Sequence, residues 1–271
     1  MLPRPSLNYH RRFSQQGTPA GRVRMSEQHK NFPEFYVTAP QACPYLAGRL
    51  ERKLFTHLTH DKPPALVDNL LKGGFRRSQN VAYMPYCEGC QACISVRVIV
   101  DAFEPKRSLR RVLDANEDVV ARRIAPRPTS EQYSLFRGYI DARHAEGGMA
   151  DMTVLDYAMM IEDSIVDTFV TEYRLRPSGS KDRRTDGWPL IAVALTDRLS
   201  DGLSMVYSFY DVDAKGRSLG TYMILDHIAH TRRLGLPYLY LGYWIAGSPK
   251  MGYKTRFRPQ EHLGPNGWVR T

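Results

Sequence analysis

No apolar run in this chain of 271 residues approaches the roughly 18 residues that a membrane span needs. The best runs, such as Ile94 to Val100, are strand-sized and broken by Arg97. Basic residues near the N-terminus have no apolar run behind them, which excludes a secretory signal. Cysteine is scarce. There are four, three of them crowded at Cys87, Cys90 and Cys93, and so few in so long a chain do not make a disulfide framework. A reducing cytosol is the expected compartment, with no membrane partner. Internal repeats and low-complexity tracts are absent, and no Ser-His-Asp signature stands out.

Acidic residues are missing altogether from positions 1–24, which hold Arg4, Arg11, Arg12, Arg22 and Arg24. Together with Pro, Gly and Gln and no apolar periodicity, they make residues 1–30 read as a disordered basic segment. Met25 is an alternative start of translation. Half of the net charge of +10 lies in that segment; the rest of the chain is still basic. Counterions released from phosphates reward such a surface, so nucleic acid is an expected partner.

Residues 34–39 and 52–58 alternate as half-buried strands do. Pro63 and Pro64 open a helix through Leu66, Leu70 and Leu71, closed by Gly73 and Gly74. The cysteine cluster follows, then the strand ISVRVIV at 94–100 and a helix carrying Leu109, Val112 and Leu113 with a basic face of Arg107, Arg110 and Arg111. Ala125-Pro126-Arg127-Pro128 punctuates the chain, which places an N-terminal cysteine-containing domain at 31–125 and a second domain at 126–271. Thr129 and Gln132 make a capping box for a helix through Tyr133, Phe136 and Ile140. A second helix is expected over 153–162, then strands near 166–174, 189–198 and 203–211, a helix over 219–233, and the strand LPYLYLGYW. This α/β (α+β) order resembles the fold of the GNAT acetyltransferases, with ISVRVIV expected as its first strand.

Two local patterns carry chemistry. Arg217-Ser218-Leu219-Gly220-Thr221-Tyr222 lies where that fold puts a glycine-rich loop on the coenzyme A pyrophosphate. Tyr222 stands where a second small residue belongs, and a phenol there obstructs close approach of a phosphate to the backbone. The alternative is an ordinary strand-to-helix turn. Cys87-x-x-Cys90-x-x-Cys93 places three soft ligands in one loop, with Cys43 in another. Four thiolates suit a structural zinc ion or an iron–sulfur cluster; otherwise they are small loop cysteines with no metal.

The stretch GGFRRSQNVAYMPYCEGCQACISVRV, with CPYLAGR at 43–49, resembles the N-terminal domain of the arginyl-tRNA–protein transferase family. DARHAEGGMAD, MVYSFYDVD, SLGTYMILDHI and YLGYWIAGSPKMGYK resemble its C-terminal domain in order and spacing. The likeness runs from about Phe35 to Phe257, and is strongest to the bacterial aspartate/glutamate leucyltransferase subfamily. It implies transfer of leucine from leucyl-tRNA to proteins with N-terminal Asp or Glu, which marks them for degradation in the N-degron pathway. Eukaryotic members carry an early Cys-x-x-Cys and a later cysteine pair. Here Leu46 replaces the second early cysteine and a triple cluster replaces the pair, so their metal chemistry does not carry over.

The implied reaction is aminolysis of an ester. An α-amino group with a pKa of about 7.7–8.0 is partly neutral at cytosolic pH and attacks the aminoacyl carbonyl. The ester is already activated, so no cofactor is required for the chemistry. The protein must orient both substrates, stabilise an oxyanion and move one proton. Candidates at the centre of the sheet are Tyr207, Tyr210 and Asp211, with Tyr243 on the opposing strand; each is equally readable as strand packing. An acidic acceptor calls for a fixed cation, ideally an arginine fork. Arg76 and Arg77 are the first candidates, then Lys250, Lys254 and Arg256, with tRNA phosphate as the competing role. Two further readings are a coenzyme A-dependent N-acetyltransferase and a non-catalytic, metal-stabilised RNA-binding protein.

Overall fold

Short strands separated by turns make up the beginning of the computed structural model, which describes residues 33–180 and 185–271. These are β1 (Tyr36–Val37), β2 (Gln41–Ala42), β3 (Leu50–Glu51) and β4 (Lys53–His57). The helix α1 (Pro64–Lys72) follows, then β5 (Arg76–Ser78) and β6 (Val81–Pro85). Proline at the first turn of α1 presets its φ without costing a hydrogen bond. β1, β4, β6 and β5 form a small antiparallel sheet in that order, and β2 pairs with β3. The expected disorder of residues 1–30 and the alternative start at Met25 lie outside the described residues.

The chain continues through β7 (Ile94–Ile99), α2 (Arg107–Asp114), β8 (Val119–Ile124), α3 (Ser130–Arg143) and α4 (Val154–Glu162). It ends with β9 (Thr168–Leu175), β10 (Leu190–Arg198), β11 (Gly202–Tyr210), α5 (Leu219–Arg233), β12 (Tyr238–Trp244), a 3-10 turn at Gly252–Arg256, β13 (Gln260–Gly264) and β14 (Gly267–Arg270). The expected capping box forms: the Thr129 hydroxyl accepts from the Gln132 amide while the Gln132 side chain accepts from the Thr129 amide. Thr153 and Asp156 repeat the device on α4. Among the described residues no helix is long and apolar enough to cross a membrane.

Eight strands form the main sheet in the order β14-β13-β7-β12-β11-β10-β9-β8. One core, with α2 and α5, includes Leu109, Val112, Met223 and Ile228; the other, with α3 and α4, includes Phe136, Ile140, Tyr157 and Ile161. Burying a large apolar side chain contributes about 1.5–3 kcal/mol, so these cores hold the sheet between its helices. The architecture is the expected α/β, GNAT-like one, with one correction. ISVRVI is not the first strand beyond β9. As β7 it pairs with β12 and β13, and the place beyond β9 belongs to β8. The reason is burial. Ser95, Val96, Arg97 and Val98 are all buried, which suits the sheet interior, whereas β8 buries only Val119 and exposes Arg122. Strands on both sides of residue 125 therefore share one sheet.

Candidate active site

β11 and β12 run parallel, joined by the crossover helix α5, and they pair only from Gly202/Tyr238 to Ser204/Tyr240. Beyond that point each strand stays with its other neighbour and the sheet opens. Both strands bulge at the opening. Leu195 faces Tyr207 and Thr196 faces Met205, which leaves Val206 as an extra residue. Arg97 faces Tyr240 and Val96 faces Gly242, which leaves Leu241 as another. A bulge turns consecutive backbone groups out of the ladder and gives them to something else.

That something else is Arg76, reaching in from β5. Its Nη2 donates to the carbonyls of Met205 (2.9 Å) and Val206 (3.1 Å). The guanidinium lies flush against Gly242, where a Cβ would stand 2.1 Å from Nη1. Gly242 has φ +73°, so conformation and space both require glycine there. Nη1 is buried and has no hydrogen-bond partner. A buried guanidinium N–H without an acceptor is costly, and an incoming anion relieves that cost.

Lys254 lies beside it. The side chain is 5% exposed, and its Nζ donates to the carbonyl of Tyr243, the residue after Gly242. Burial first, then the charge of Arg76, lowers its pKa to about 7. Neither cation pairs with a carboxylate among the described residues. The Tyr243 hydroxyl lies 2.9 Å from the Gly74 carbonyl and 3.2 Å from that of Tyr83, tying β12 to the small sheet. Burial raises its pKa far above the ordinary phenol value.

The other candidates lie elsewhere. Arg77 is buried and forks onto Asp197 with two contacts of 2.7 Å, so its charge is already paired and it is not free to read an acceptor. Tyr207 packs against Phe136 and Phe209, and Tyr210 against Tyr139 with ring centroids 5.0 Å apart. Asp211 accepts the Asp213 amide at 2.9 Å, an ordinary turn. Lys250 and Arg256 are exposed; Arg256 lies 3.5 Å from the Thr221 hydroxyl.

The coenzyme A loop is filled by its own residues. Arg217 forks onto Asp118 at 2.7 and 2.9 Å, and the Tyr222 hydroxyl donates to the Val119 carbonyl. The arginine that would meet a pyrophosphate is committed to holding α5 against β8. The cysteines are half-buried free thiols. Burial first, then the nearby Cys87, Cys43 and Cys90, pushes the Cys93 thiol up to about 11. Among the described residues no three His, Cys, Asp or Glu side chains are gathered as a metal ion requires.

Periodicity and motif spacing carry no sign of the two bulges. Nor do they reveal a buried cluster in which Tyr173, His227 and Thr196 bond in series beside Asp226. The pair Asp226-His227 is visible on its helix, but only packing makes the face that carries it a buried one.

A parallel pair that opens beside a buried cation, set in a GNAT-like sheet, leaves a cleft at the centre of the fold. The comparisons narrow the class. The family model described as arginine-tRNA-protein transferase, N terminus, matches residues 41–111, and that of the C terminus matches residues 131–264. The chain belongs to this transferase family. It is 61% identical over 246 residues to the aspartate/glutamate leucyltransferase of Afipia carboxidovorans, covering 91% of this chain and 96% of that one. With the protein of the same name from Sinorhizobium medicae it shares 59% over 246 residues, covering 91% and 95%. Among solved structures, the crystal structure of FemX is similar at a TM-score of 0.46 and 10% identity, covering 76% of this chain and 67% of that one.

Proposed function

We propose that this chain transfers leucine from leucyl-tRNA to proteins that begin with Asp or Glu. The family supplies the reaction class, and the names of the relatives supply donor and acceptor. The observation that carries the acceptor reading is the unpartnered Nη1 of Arg76 in the opening between β11 and β12. A neutral pocket does not take a carboxylate from water, because an unpaired buried charge costs several kcal/mol. A fixed guanidinium offsets that cost and sets the direction of the acidic side chain. The α-amine then attacks the aminoacyl ester, the carbon–oxygen bond to the terminal ribose breaks, and a new amide forms. Binding energy and orientation do most of the work, since the ester is already activated.

Acetyl-CoA as donor is the weaker reading, because Arg217 and Tyr222 are tied to Asp118 and Val119. One assay separates the readings. Labelled leucyl-tRNA or labelled acetyl-CoA is incubated with the chain and peptides starting with Asp, Glu or Ala, without ATP. Label from leucyl-tRNA in the Asp and Glu peptides is expected. Transfer from acetyl-CoA, and none from any aminoacyl-tRNA, overturns the proposal.

A further inference from the structure

Among the described residues, most buried charges have an opposite charge beside them. Arg77 has Asp197, Arg97 has Glu261, and Glu172 has Arg174. Lys254 does not. Its Nζ reaches only a backbone carbonyl, and its charged neighbour, Arg76, carries the same sign. The loop that holds it is pinned from β13, where the buried Gln260 side chain donates to the Lys254 carbonyl. A lysine buried in this way is costly as a purely structural group, since burial penalises its charged form.

Position gives it a use. Arg76 lies on Gly242 and Lys254 bonds the carbonyl of Tyr243, so the two cationic groups sit against adjacent residues of β12. In an N-terminal Asp, three bonds separate the carboxylate carbon from the α-nitrogen, and in Glu four, a span of about 3–5 Å. A carboxylate held at Arg76 keeps the α-amine of the same residue within that span of the guanidinium, and Lys254 is the buried amine that neighbours Arg76.

From this geometry, and resting on the acceptor reading above, we propose that Lys254 is the general base of the transfer step. The α-amine attacks the ester carbonyl, and the new C–N bond leaves the nitrogen positively charged and the carbonyl oxygen negative. The neutral Lys254 amine takes one proton from that nitrogen while its own N–H stays on the Tyr243 carbonyl. The oxyanion then collapses, the bond to the ribose oxygen breaks, and Lys254 returns the proton to the departing oxygen. Lys254 ends as it began. No metal or cofactor enters the balance.

The electrostatics agree. Burial and the Arg76 charge bring Lys254 to about 7, close to where a base at cellular pH is most effective. The other titratable groups facing it are Tyr243 on β12 and Tyr253, whose ring centroid is 5.8 Å from Nζ. Burial raises both phenols, so both stay neutral across this range.

The test uses the full chain, preformed leucyl-tRNA and an Asp-initiated peptide in single-turnover mode. Lys254→Met removes the base. Lys254→Arg keeps the cation and a donor for the Tyr243 carbonyl, but it does not lose its proton in this range. A base role predicts that both variants slow the step by about 100-fold or more at saturating peptide, with little change in peptide KM or tRNA affinity. A rate for Lys254→Arg within threefold of the unaltered chain overturns the proposal and leaves Lys254 a structural cation. If neither variant folds, the unaltered chain decides. Acceptor amine and lysine must both lose a proton, so log rate should rise with a slope approaching two below pH 7; a slope of one overturns the assignment. An unaltered chain that transfers nothing to any peptide is a different result and refutes the function itself.

Discussion

Replacing Arg76 with methionine removes one cation and leaves most of the side-chain volume. The structure sets the size of the effect. Nη2 is occupied by the Met205 and Val206 carbonyls, so the unpartnered Nη1 is the donor left for a substrate carboxylate. One hydrogen bond to a charged group is worth about 1.5–3 kcal/mol. Preference for an Asp-initiated over an Ala-initiated peptide, measured as the ratio of kcat/KM values, should therefore fall by about 10- to 150-fold. Two bulge carbonyls lose their donor as well, which costs about 1 kcal/mol each in stability. The assay pairs competing peptides with tRNA binding across a salt series. If Arg76 instead holds a phosphate, transfer to every acceptor weakens alike and the salt slope flattens by about one. That outcome refutes the acceptor reading.

Arg77→Met should behave oppositely. It leaves Asp197 charged and fully buried, so stability drops by about 3–5 kcal/mol in chemical denaturation while the folded fraction keeps its peptide preference. Gly242→Ala drives a Cβ into the Arg76 guanidinium and places alanine at φ +73°, a conformation that costs about 1–2 kcal/mol. It should erase the preference for Asp without touching Arg76 itself; an unchanged preference would show that Arg76 does not read the acceptor from this place. His230 is held neutral to about pH 4, by burial first and then by Arg123 and Arg233, whereas the unfolded chain takes that proton near pH 6.5. Stability therefore declines as pH falls from 6.5 towards 4, and in a His230→Gln variant the melting temperature should fall less over that window. The cysteine spacing predicts about one zinc ion or one iron–sulfur cluster per chain, held by Cys43, Cys87, Cys90 and Cys93, after anaerobic, chelator-free purification. Metal-free protein that melts no lower after chelation refutes it.

Elements with a strong local signal are legible in the amino-acid sequence. Thr129 and Gln132 cap the helix they predict, Pro63 and Pro64 open α1, and the apolar runs of β9 to β12 lie within a few residues of their expected ends. These features depend on neighbours in sequence, so local physics settles them. β8 escapes such a reading because VVARRI mixes two arginines into a strand that buries one residue, which is how an edge strand reads. Tyr222 alone argues against a phosphate at the loop Arg217–Tyr222, but only the fold shows Arg217 turned onto Asp118. The site itself divides the same way. The sequence determines that two adjacent arginines and a lysine-bearing segment are present. Which arginine is free is a tertiary matter. On a strand, successive side chains point to opposite faces, so Arg76 enters the opening of the main sheet and Arg77 meets Asp197. Nothing in the identity of either residue says which face the opening is on. Two bulges, a glycine and a buried lysine come together there from β11, β12 and the 3-10 turn after it, and the physics of that meeting exists only once these elements have packed.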